Sequence, residues 1–175
     1  NKVLLENSYI RYGFASVGAG VRCIDSNLEM KNCVVSNNTA STYGGAFNIA
    51  GSGCLVNLYN LTITQNVGNV SVSAIRSGSG AITNVRNSII YNNNNGINNF
   101  ASSGGTLNIY DSIVDGDLGQ LDDYSNIYDV DPVIIEDPPG EFISHSQISM
   151  DYGVDYTGRP DYDILGNPRI YDPPS

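Results

Sequence analysis

The chain has 175 residues, enough for one domain with a sizeable core. Charged residues make up only 15% of it, and 19 residues are Gly. This composition excludes a disordered chain and indicates a turn-rich β protein. The net charge is −10 and the 8 Lys and Arg residues are scattered, so we expect no nucleic-acid partner. No apolar run is long enough for a membrane span, so we expect no transmembrane segment.

The most prominent pattern is a polar residue that recurs between two apolar positions. The polar residues are Asn7, Asn32, Asn60, Asn87 and Asp111, at spacings of 25, 28, 27 and 24 residues. The apolar residues two positions earlier are Leu5, Met30, Leu58, Val85 and Ile109. The residues three positions after the polar ones are also apolar: Ile10, Val35, Ile63, Ile90 and Val114. This repeat predicts two short strands that meet at a bend and face a common interior.

A third strand is predicted later in each coil, at residues 20–24, 45–49, 73–77 and, in looser form, 96–100. A coil of three strands cannot bury its own apolar face, so stacked coils must supply the core. We therefore predict an all-β fold, a right-handed parallel β-helix (solenoid) of about five coils with an irregular C-terminal cap. The coils occupy residues 1–118, and an Asp/Tyr/Pro-rich segment of the same domain, residues 119–175, covers them.

The bend residues are predicted to form an asparagine ladder. Asn and Asp tolerate left-handed backbone angles, and stacked amides can pass hydrogen bonds between coils. The residues just before the bends are expected to support the stack by ionic and cation-aromatic contacts: Glu6, Lys31, Tyr59, Arg86 and Tyr110.

The residues two positions after the bends are predicted to form an apolar stripe, and the C-terminal segment is the expected cover for it. They are Tyr9, Val34, Thr62, Ile89 and Ile113. Segments 36–43 and 92–96 are predicted to be exposed polar loops.

The candidate binding residues lie on the third strand of each coil. If Phe47, Ile49 and Ile75 face the interior, Arg22, Asn48 and Arg76 face outward. This polar and basic row in an acidic protein would suit an acidic or hydroxylated glycan. The alternative is an ordinary solvated strand face.

The cysteines and acidic turns offer few metal or disulfide signals. Cys23, Cys33 and Cys54 are too few and odd in number for a disulfide framework. Cys33 is predicted to be a small buried residue, although one pair of the three could bridge neighbouring coils. No spacing suits zinc. Turns with Asp129/Asp131 and Asp161/Asp163 offer oxygen ligands to Ca²⁺ without a defined loop signature; no other cofactor or metal is expected.

Two parts of the chain resemble known bacterial families. Residues 32–40 followed by Gly44-Gly45-Ala46-Phe47 are similar to the right-handed parallel β-helix repeats of bacterial surfaces, including the GGA[IL] and FxxN repeats of polymorphic outer-membrane passengers. The C-terminal run resembles the choice-of-anchor Q type, whose successive motifs correspond to residues 131–135, 149–153 and 163–170. The middle motif departs from the family, because residues 147–150 read Gln-Ile-Ser-Met where the family has a Ser-Pro turn.

The resemblance implies a secreted or surface-anchored bacterial protein, located extracellularly or at the cell surface, and leaves three functions open. The first is a non-catalytic structural or adhesive module that contacts a polysaccharide or a surface or secretion-system protein. The second is a polysaccharide lyase or glycoside hydrolase, since pectate lyases share this architecture. The third-strand face has no acidic pair, Lys or His, so we assign no catalytic residue.

The third function is a subunit of an extracellular filament or assembly, joined end to end. Val3-Leu4-Leu5 begins the chain as a strand without a visible cap, and an open solenoid end invites pairing. We also expect from this that the chain is a processed or excised piece.

Overall fold

The computed structural model describes residues 2–93, 98–116, 118–128, 134–136 and 142–144. Within these ranges the protein is an all-β parallel solenoid, which confirms the predicted fold class. There are four coils, and the next strand starts a further turn, so the count is slightly below the predicted five. Of the predicted covering segment 119–175, only residues 119–128, 134–136 and 142–144 are described, and its role as a cover stays a prediction.

Each of the first three coils has four short strands. The first coil contains β1 (Lys2–Glu6), β2 (Tyr9–Arg11), β3 (Phe14–Val17) and β4 (Val21–Ile24). The second contains β5 (Asn27–Lys31), β6 (Val34–Ser36), β7 (Thr39–Tyr43) and β8 (Phe47–Ala50). The third contains β9 (Leu55–Tyr59), β10 (Thr62–Thr64), β11 (Val67–Gly68) and β12 (Ile75–Gly78).

The fourth coil and the residues after it are less regular. The described strands of this coil are β13 (Ile82–Arg86), β14 (Ile89–Tyr91) and β15 (Phe100–Ser103). They are followed by β16 (Thr106–Val114), a short 3-10 helix (Leu118–Gln120), β17 (Asp123–Tyr128), β18 (Ile134–Glu136) and β19 (Phe142–Ser144). Strand β17 pairs in parallel with β16, whereas β18 and β19 form an antiparallel pair.

The strands stack into three parallel sheets. The largest sheet has the order β1-β5-β9-β13-β16-β14-β10-β6-β2, with β17 beside β16. In the earlier coils the bend separates two strands, whereas β16 continues through it. Strand β16 therefore pairs with both β13 and β14 and joins the two stacks of strands into one sheet. The other two are β11-β7-β3 and β15-β12-β8-β4. The β3-β7-β11 sheet was missed by the sequence reasoning. Segment 36–43, predicted to be an exposed loop, contains β7, and its Asn38 and Ala40 are fully buried.

The two apolar columns form the core in the predicted register. Leu5, Met30, Leu58, Val85 and Ile109 are successive partners in the stack. Ile10, Val35, Ile63, Ile90 and Val114 form the second column. Except for the partly buried Leu5 and Ile10 of the first coil, these side chains are almost completely buried. Neighbouring coils therefore bury one another's apolar faces, as a solenoid requires.

The predicted bend column is also present. Asn7, Asn32, Asn60, Asn87 and Asp111 all have a positive φ, between 50 and 55°. The amide of Asn32 donates to Asn7 Oδ1 at 2.6 Å, which is one rung of the expected ladder. A second column of positive φ, which the sequence analysis did not identify, comprises Tyr12, Asn37, Gln65 and Asn92. The residues after it include Asn38, Asn66 and Asn93, which form a continuous buried asparagine stack.

The outer columns are in register as predicted. Lys31 Nζ lies 4.0 Å from Glu6 Oε1, and the Arg86 guanidinium lies 4.3 Å from the centre of the Tyr110 ring. In the stripe two residues after the bends, Val34 and Ile113 are buried although neither belongs to the core cluster. The proposed cover for this stripe falls largely outside the described residues.

Candidate functional site

Arg22, Asn48 and Arg76 lie on neighbouring coils at one register position. Strand pairing aligns Arg22 of β4 with Asn48 of β8, and Asn48 with Arg76 of β12. Phe47, Ile49 and Ile75 on these strands are fully buried in the core, so alternation turns the row outward. The two arginines are two interstrand steps apart, roughly 10 Å along the stack. The sequence thus placed these three residues together correctly, while their binding role stays a prediction.

The middle and far end of the row are held by contacts within the protein. Arg76 Nη1 donates to Asn48 Oδ1 at 3.1 Å, and the Arg76 guanidinium lies 4.6 Å from the centre of the Tyr43 ring. Asn48 is only 3% exposed. Gly78 leaves room for this arrangement, because a Cβ there would lie 2.9 Å from Arg76 Nη1. The cation is therefore fixed in position, with part of its hydrogen-bonding capacity already used.

Arg22 differs from Arg76 because its side chain is exposed. Among the described residues, no hydrogen bond, ion pair or aromatic ring engages its guanidinium. A guanidinium has five N–H donors in a planar fork that matches carboxylate geometry. The row thus offers one available fork at Arg22 and one oriented cation at Arg76, which is chemistry suited to carboxylate and hydroxyl groups on an extended ligand.

A second exposed group, on the first coil, was not singled out from the sequence. The Arg11 guanidinium lies 5.4 Å from the centre of the Tyr9 ring and 5.7 Å from that of Tyr12. Tyr12 is 63% exposed and Phe14 is 79% exposed. Tyr12 has a φ of 59°, which is unusual for a bulky residue. The signal in the sequence was the density of aromatic residues at 9–14, where later coils have mainly polar ones.

The remaining charged residues do not assemble into a catalytic pair or metal centre within the described ranges. Glu29 accepts hydrogen bonds from Lys2 and Lys31, and the Lys2 contact, followed by Lys31, lowers the pKa of its carboxyl. Asp115 Oδ2 accepts from the Asn92 backbone N–H at 2.8 Å. The described residues contain no cluster of His, Cys, Asp and Glu that would hold a metal ion. Asp129, Asp131, Asp161 and Asp163 lie outside the described residues, so the Ca²⁺ prediction is untested.

The first coil has an exposed apolar end. A cavity of about 560 Å³ is lined mainly by apolar side chains, including Val3, Leu5, Val21 and Met30. Val3 is 59% exposed, and its neighbour Leu4 is 54% exposed. The outer edge of this coil therefore presents core-type residues without a covering strand among the described residues.

The fold defines a parallel β-solenoid protein. No family model, no curated protein and no solved structure matches the chain. Within the described residues no helix is long and apolar enough to span a membrane.

Proposed function

We propose that the protein is a non-catalytic extracellular β-solenoid module that binds acidic or hydroxylated glycans along the row Arg22, Asn48 and Arg76, in which the two arginines contact the ligand and the buried Asn48 orients Arg76. The observation that carries this proposal is the alignment of two arginines on either side of Asn48 on one outer strand face. Stacked coils form a rigid support, so the separation of the two backbone positions and the orientation of the Arg76 guanidinium are set before a ligand arrives. Such preorganisation reduces the entropic cost of binding.

The overall charge of the protein is compatible with an anionic ligand at this row. The net charge of −10 comes from the last third of the chain, because residues 1–110 contain six Lys and Arg but only three Asp and Glu. Charges separated by more than about 8 Å are also largely screened at physiological ionic strength. The cations at Arg22 and Arg76 therefore dominate locally. A glycan that carries carboxylates would bind more weakly as salt is added, whereas one that presents only hydroxyls would respond less.

The origin and location of the protein are part of the same proposal. The repeat at residues 32–47 and the motif at residues 163–170 resemble bacterial surface solenoids with a choice-of-anchor Q type C-terminal segment. This resemblance supports a secreted or surface-anchored bacterial module whose partner is a polysaccharide or a surface or secretion-system protein. The second motif lies outside the described residues, so its support comes from sequence alone.

A glycan array followed by titration of the intact chain tests the proposal. We expect binding to polyuronates or related glycans, and Arg22→Ala to weaken it about tenfold or more, because each charge-assisted hydrogen bond contributes roughly 1.5–3 kcal/mol. Arg86→Ala is the matched control, since it removes an arginine from a different face. Absence of glycan binding, or equal losses in both variants, would overturn the assignment. Release of unsaturated products from polyuronates at fixed Ca²⁺, abolished by Arg76→Ala, would favour the lyase alternative.

The apolar end of the first coil favours a second candidate function, a subunit of an extracellular assembly. Val3 and Leu4 are each more than half exposed, and Val3 lines the apolar cavity together with Leu5. Contiguous apolar surface of this kind typically marks a contact with another protein. Solution mass measured over a range of concentrations tests it: association that Leu4→Lys abolishes supports assembly, and a monomer at every concentration refutes it.

A further inference from the structure

The thiols of Cys23 and Cys54 lie next to each other although they are far apart in sequence. Their Sγ atoms are 3.7 Å apart. Cys23 is in β4, the last strand of the first coil, and Cys54 immediately precedes β9 in the turn that closes the second coil. Both are buried and both are free thiols in this structure. The stack of coils thus brings two oxidisable side chains into contact.

The local geometry turns both sulfur atoms toward one point. Cys54 Sγ lies 2.7 Å from the carbonyl oxygen of Ser26, and Cys23 Sγ lies 3.3 Å from the same oxygen. The third thiol is placed differently, because Cys33 Sγ contacts the carbonyl oxygens of Lys31 at 3.1 Å and Leu5 at 3.7 Å. Within the described chain the sulfur of Cys33 has no sulfur neighbour, so the structure distinguishes one pair from one single cysteine.

We propose that Cys23 and Cys54 are a disulfide-forming pair that links the first coil to the second when the protein meets a low-molecular-weight disulfide. A disulfide requires an S–S distance of about 2.05 Å, so the two sulfurs need to close a gap of less than 2 Å. The expected product is an inter-coil crosslink inside the solenoid. This inference is independent of the proposed glycan binding.

The reaction balances as two exchange steps. One cysteine loses its proton and its thiolate attacks a sulfur of the small disulfide, which forms a mixed disulfide and releases one small thiolate. The second cysteine then loses its proton and attacks the protein sulfur of the mixed disulfide, which forms the Cys23–Cys54 bond and releases the second thiolate. The protein thiols lose two electrons, and the small disulfide is reduced to two thiols.

The surroundings determine how fast this exchange proceeds. Cys23 lines the apolar cavity at the first coil, which gives a small reagent a route to its sulfur. Burial, followed by the contact with Cys54, raises the pKa of Cys23 to about 12. Little thiolate is therefore present at neutral pH, and the thiolate is the reactive species. We expect slow oxidation at neutral pH that becomes faster as the pH is raised.

Incubation of the full chain with oxidised glutathione at several pH values tests the proposal. We expect the number of free thiols, counted after denaturation, to fall from three to one, and peptide mapping to show Cys23 joined to Cys54. Oxidation should raise Tm by roughly 5–10 °C in a thiol-free buffer, because the crosslink restricts the unfolded chain.

Three variants separate this outcome from others. Cys33→Ser should leave both the crosslink and the Tm shift intact, whereas Cys23→Ser and Cys54→Ser should each remove both. Mapping of the unmodified chain needs no variant and guards against a substitution that disturbs folding. Three thiols that persist at raised pH, a crosslink that includes Cys33, or bonds between chains would each overturn the proposal.

Discussion

Two stacks of asparagine run along this solenoid with nearly the same geometry and in different surroundings. In the buried stack, Asn38, Asn66 and Asn93, the amide-to-amide hydrogen bonds are 2.9 and 2.8 Å. In the outer stack, Asn57, Asn84 and Asn108, they are 3.0 and 2.9 Å. The first set is completely buried, whereas the second is only partly buried on the outer sheet face.

The backbone contacts of the two stacks differ more than their amide ladders. Asn66 Nδ2 lies 2.8 Å from the Val35 carbonyl oxygen and 2.9 Å from that of Thr64, and Asn93 Nδ2 lies 2.7 Å from the Ile63 carbonyl oxygen. Water can replace a partner at the outer stack but not inside the core. An asparagine in the buried stack should therefore contribute much more to stability than an asparagine in the outer stack.

The largest expected effect is that of Asn66→Ala. This change removes the partner of the Asn38 backbone N–H, which lies 3.1 Å from Asn66 Oδ1, together with partners of the Asn38 and Asn93 amides. Because several buried polar groups lose hydrogen bonds at once, we expect the free energy of unfolding to fall by about 3–5 kcal/mol. Urea unfolding measures this loss.

Asn84→Ala is the matched control, since it removes the middle amide of the outer stack. We expect it to change the free energy of unfolding by less than about 1 kcal/mol, because its neighbours can bond to water. Equal losses in the two variants would contradict the distinction between the stacks and show that the ladder itself, independent of burial, sets the contribution.

The second prediction concerns the end of the buried stack. In the first coil its place is taken by Gly13, whose backbone N–H donates to Asn38 Oδ1 at 2.9 Å. A Cβ at this position would lie 2.3 Å from the Ala19 carbonyl oxygen and 2.9 Å from Asn38 Oδ1. We expect Gly13→Ala to reduce the free energy of unfolding by about 1–3 kcal/mol, measured by urea unfolding, because the backbone must shift to admit the methyl group.

Gly53→Ala provides a comparison for Gly13→Ala. A Cβ at Gly53 would have no atom within 4 Å, so only its φ of +86° opposes the added methyl. If Gly13→Ala were as stable as the unmodified protein, the first coil would not be packed as tightly against the stack as the structure indicates.

The apolar columns were more accessible to sequence reasoning than either asparagine stack. Alternation of apolar and polar residues marks strands directly, so the register of Leu58 and its column followed from spacing alone. A buried asparagine has no such signature, because polar residues such as those at 36–38 are typical of loops. Only the spacings of 28 and 27 residues between Asn38, Asn66 and Asn93, equal to the coil repeat, indicated a stack.

The candidate site shows the same limit. The sequence placed Arg22, Asn48 and Arg76 in one row because strand alternation determines which residues face outward. It did not reveal that Tyr43 lies beneath the Arg76 guanidinium, because Tyr43 ends a strand that the polar composition concealed. Contacts between strands of different sheets depend on how the coil closes, which local periodicity does not encode.

The third prediction contrasts the bend column with both stacks. Asn60 has a φ of 55°, and among the described residues its buried Nδ2 has no hydrogen-bond partner. The side chain of Asn60 therefore contributes little to stability, and the residue stabilises the bend mainly because asparagine tolerates a left-handed backbone conformation. By urea unfolding, we expect Asn60→Gly to stay within about 0.5 kcal/mol of the unmodified protein and Asn60→Ala to be less stable by about 1–2 kcal/mol.

The reverse ranking at this bend would assign Asn60 a side-chain role like that of Asn66. At the buried stack, by contrast, Asn66→Gly should be no more stable than Asn66→Ala, because the missing amide and not the backbone angle sets the loss there. The two pairs of variants together separate the backbone role of asparagine from its side-chain role.

The smallest expected effect is at Glu29, which occupies in the second coil the position that Asn57 occupies in the third. Glu29 pairs in register with Asn57, and its side chain is 14% exposed between Lys2 and Lys31, with Lys31 Nζ 2.9 Å from Oε1. The hydrogen bond from Lys2, followed by the contacts with Lys31, lowers the pKa of Glu29. A lowered folded-state pKa gives stability that is present above the unfolded value of about 4.3 and lost as the pH falls through the folded value.

We therefore expect Glu29→Gln to lower the free energy of unfolding by up to about 1 kcal/mol near pH 7, and the difference from the unmodified protein to shrink below about pH 4. Urea unfolding of both proteins at each pH measures the difference and cancels the titration of other carboxyls. High salt should also reduce it near neutral pH, because Lys2 is exposed. A difference that is constant with pH would mean that Glu29 acts, like Asn57, through hydrogen bonding and packing instead of charge.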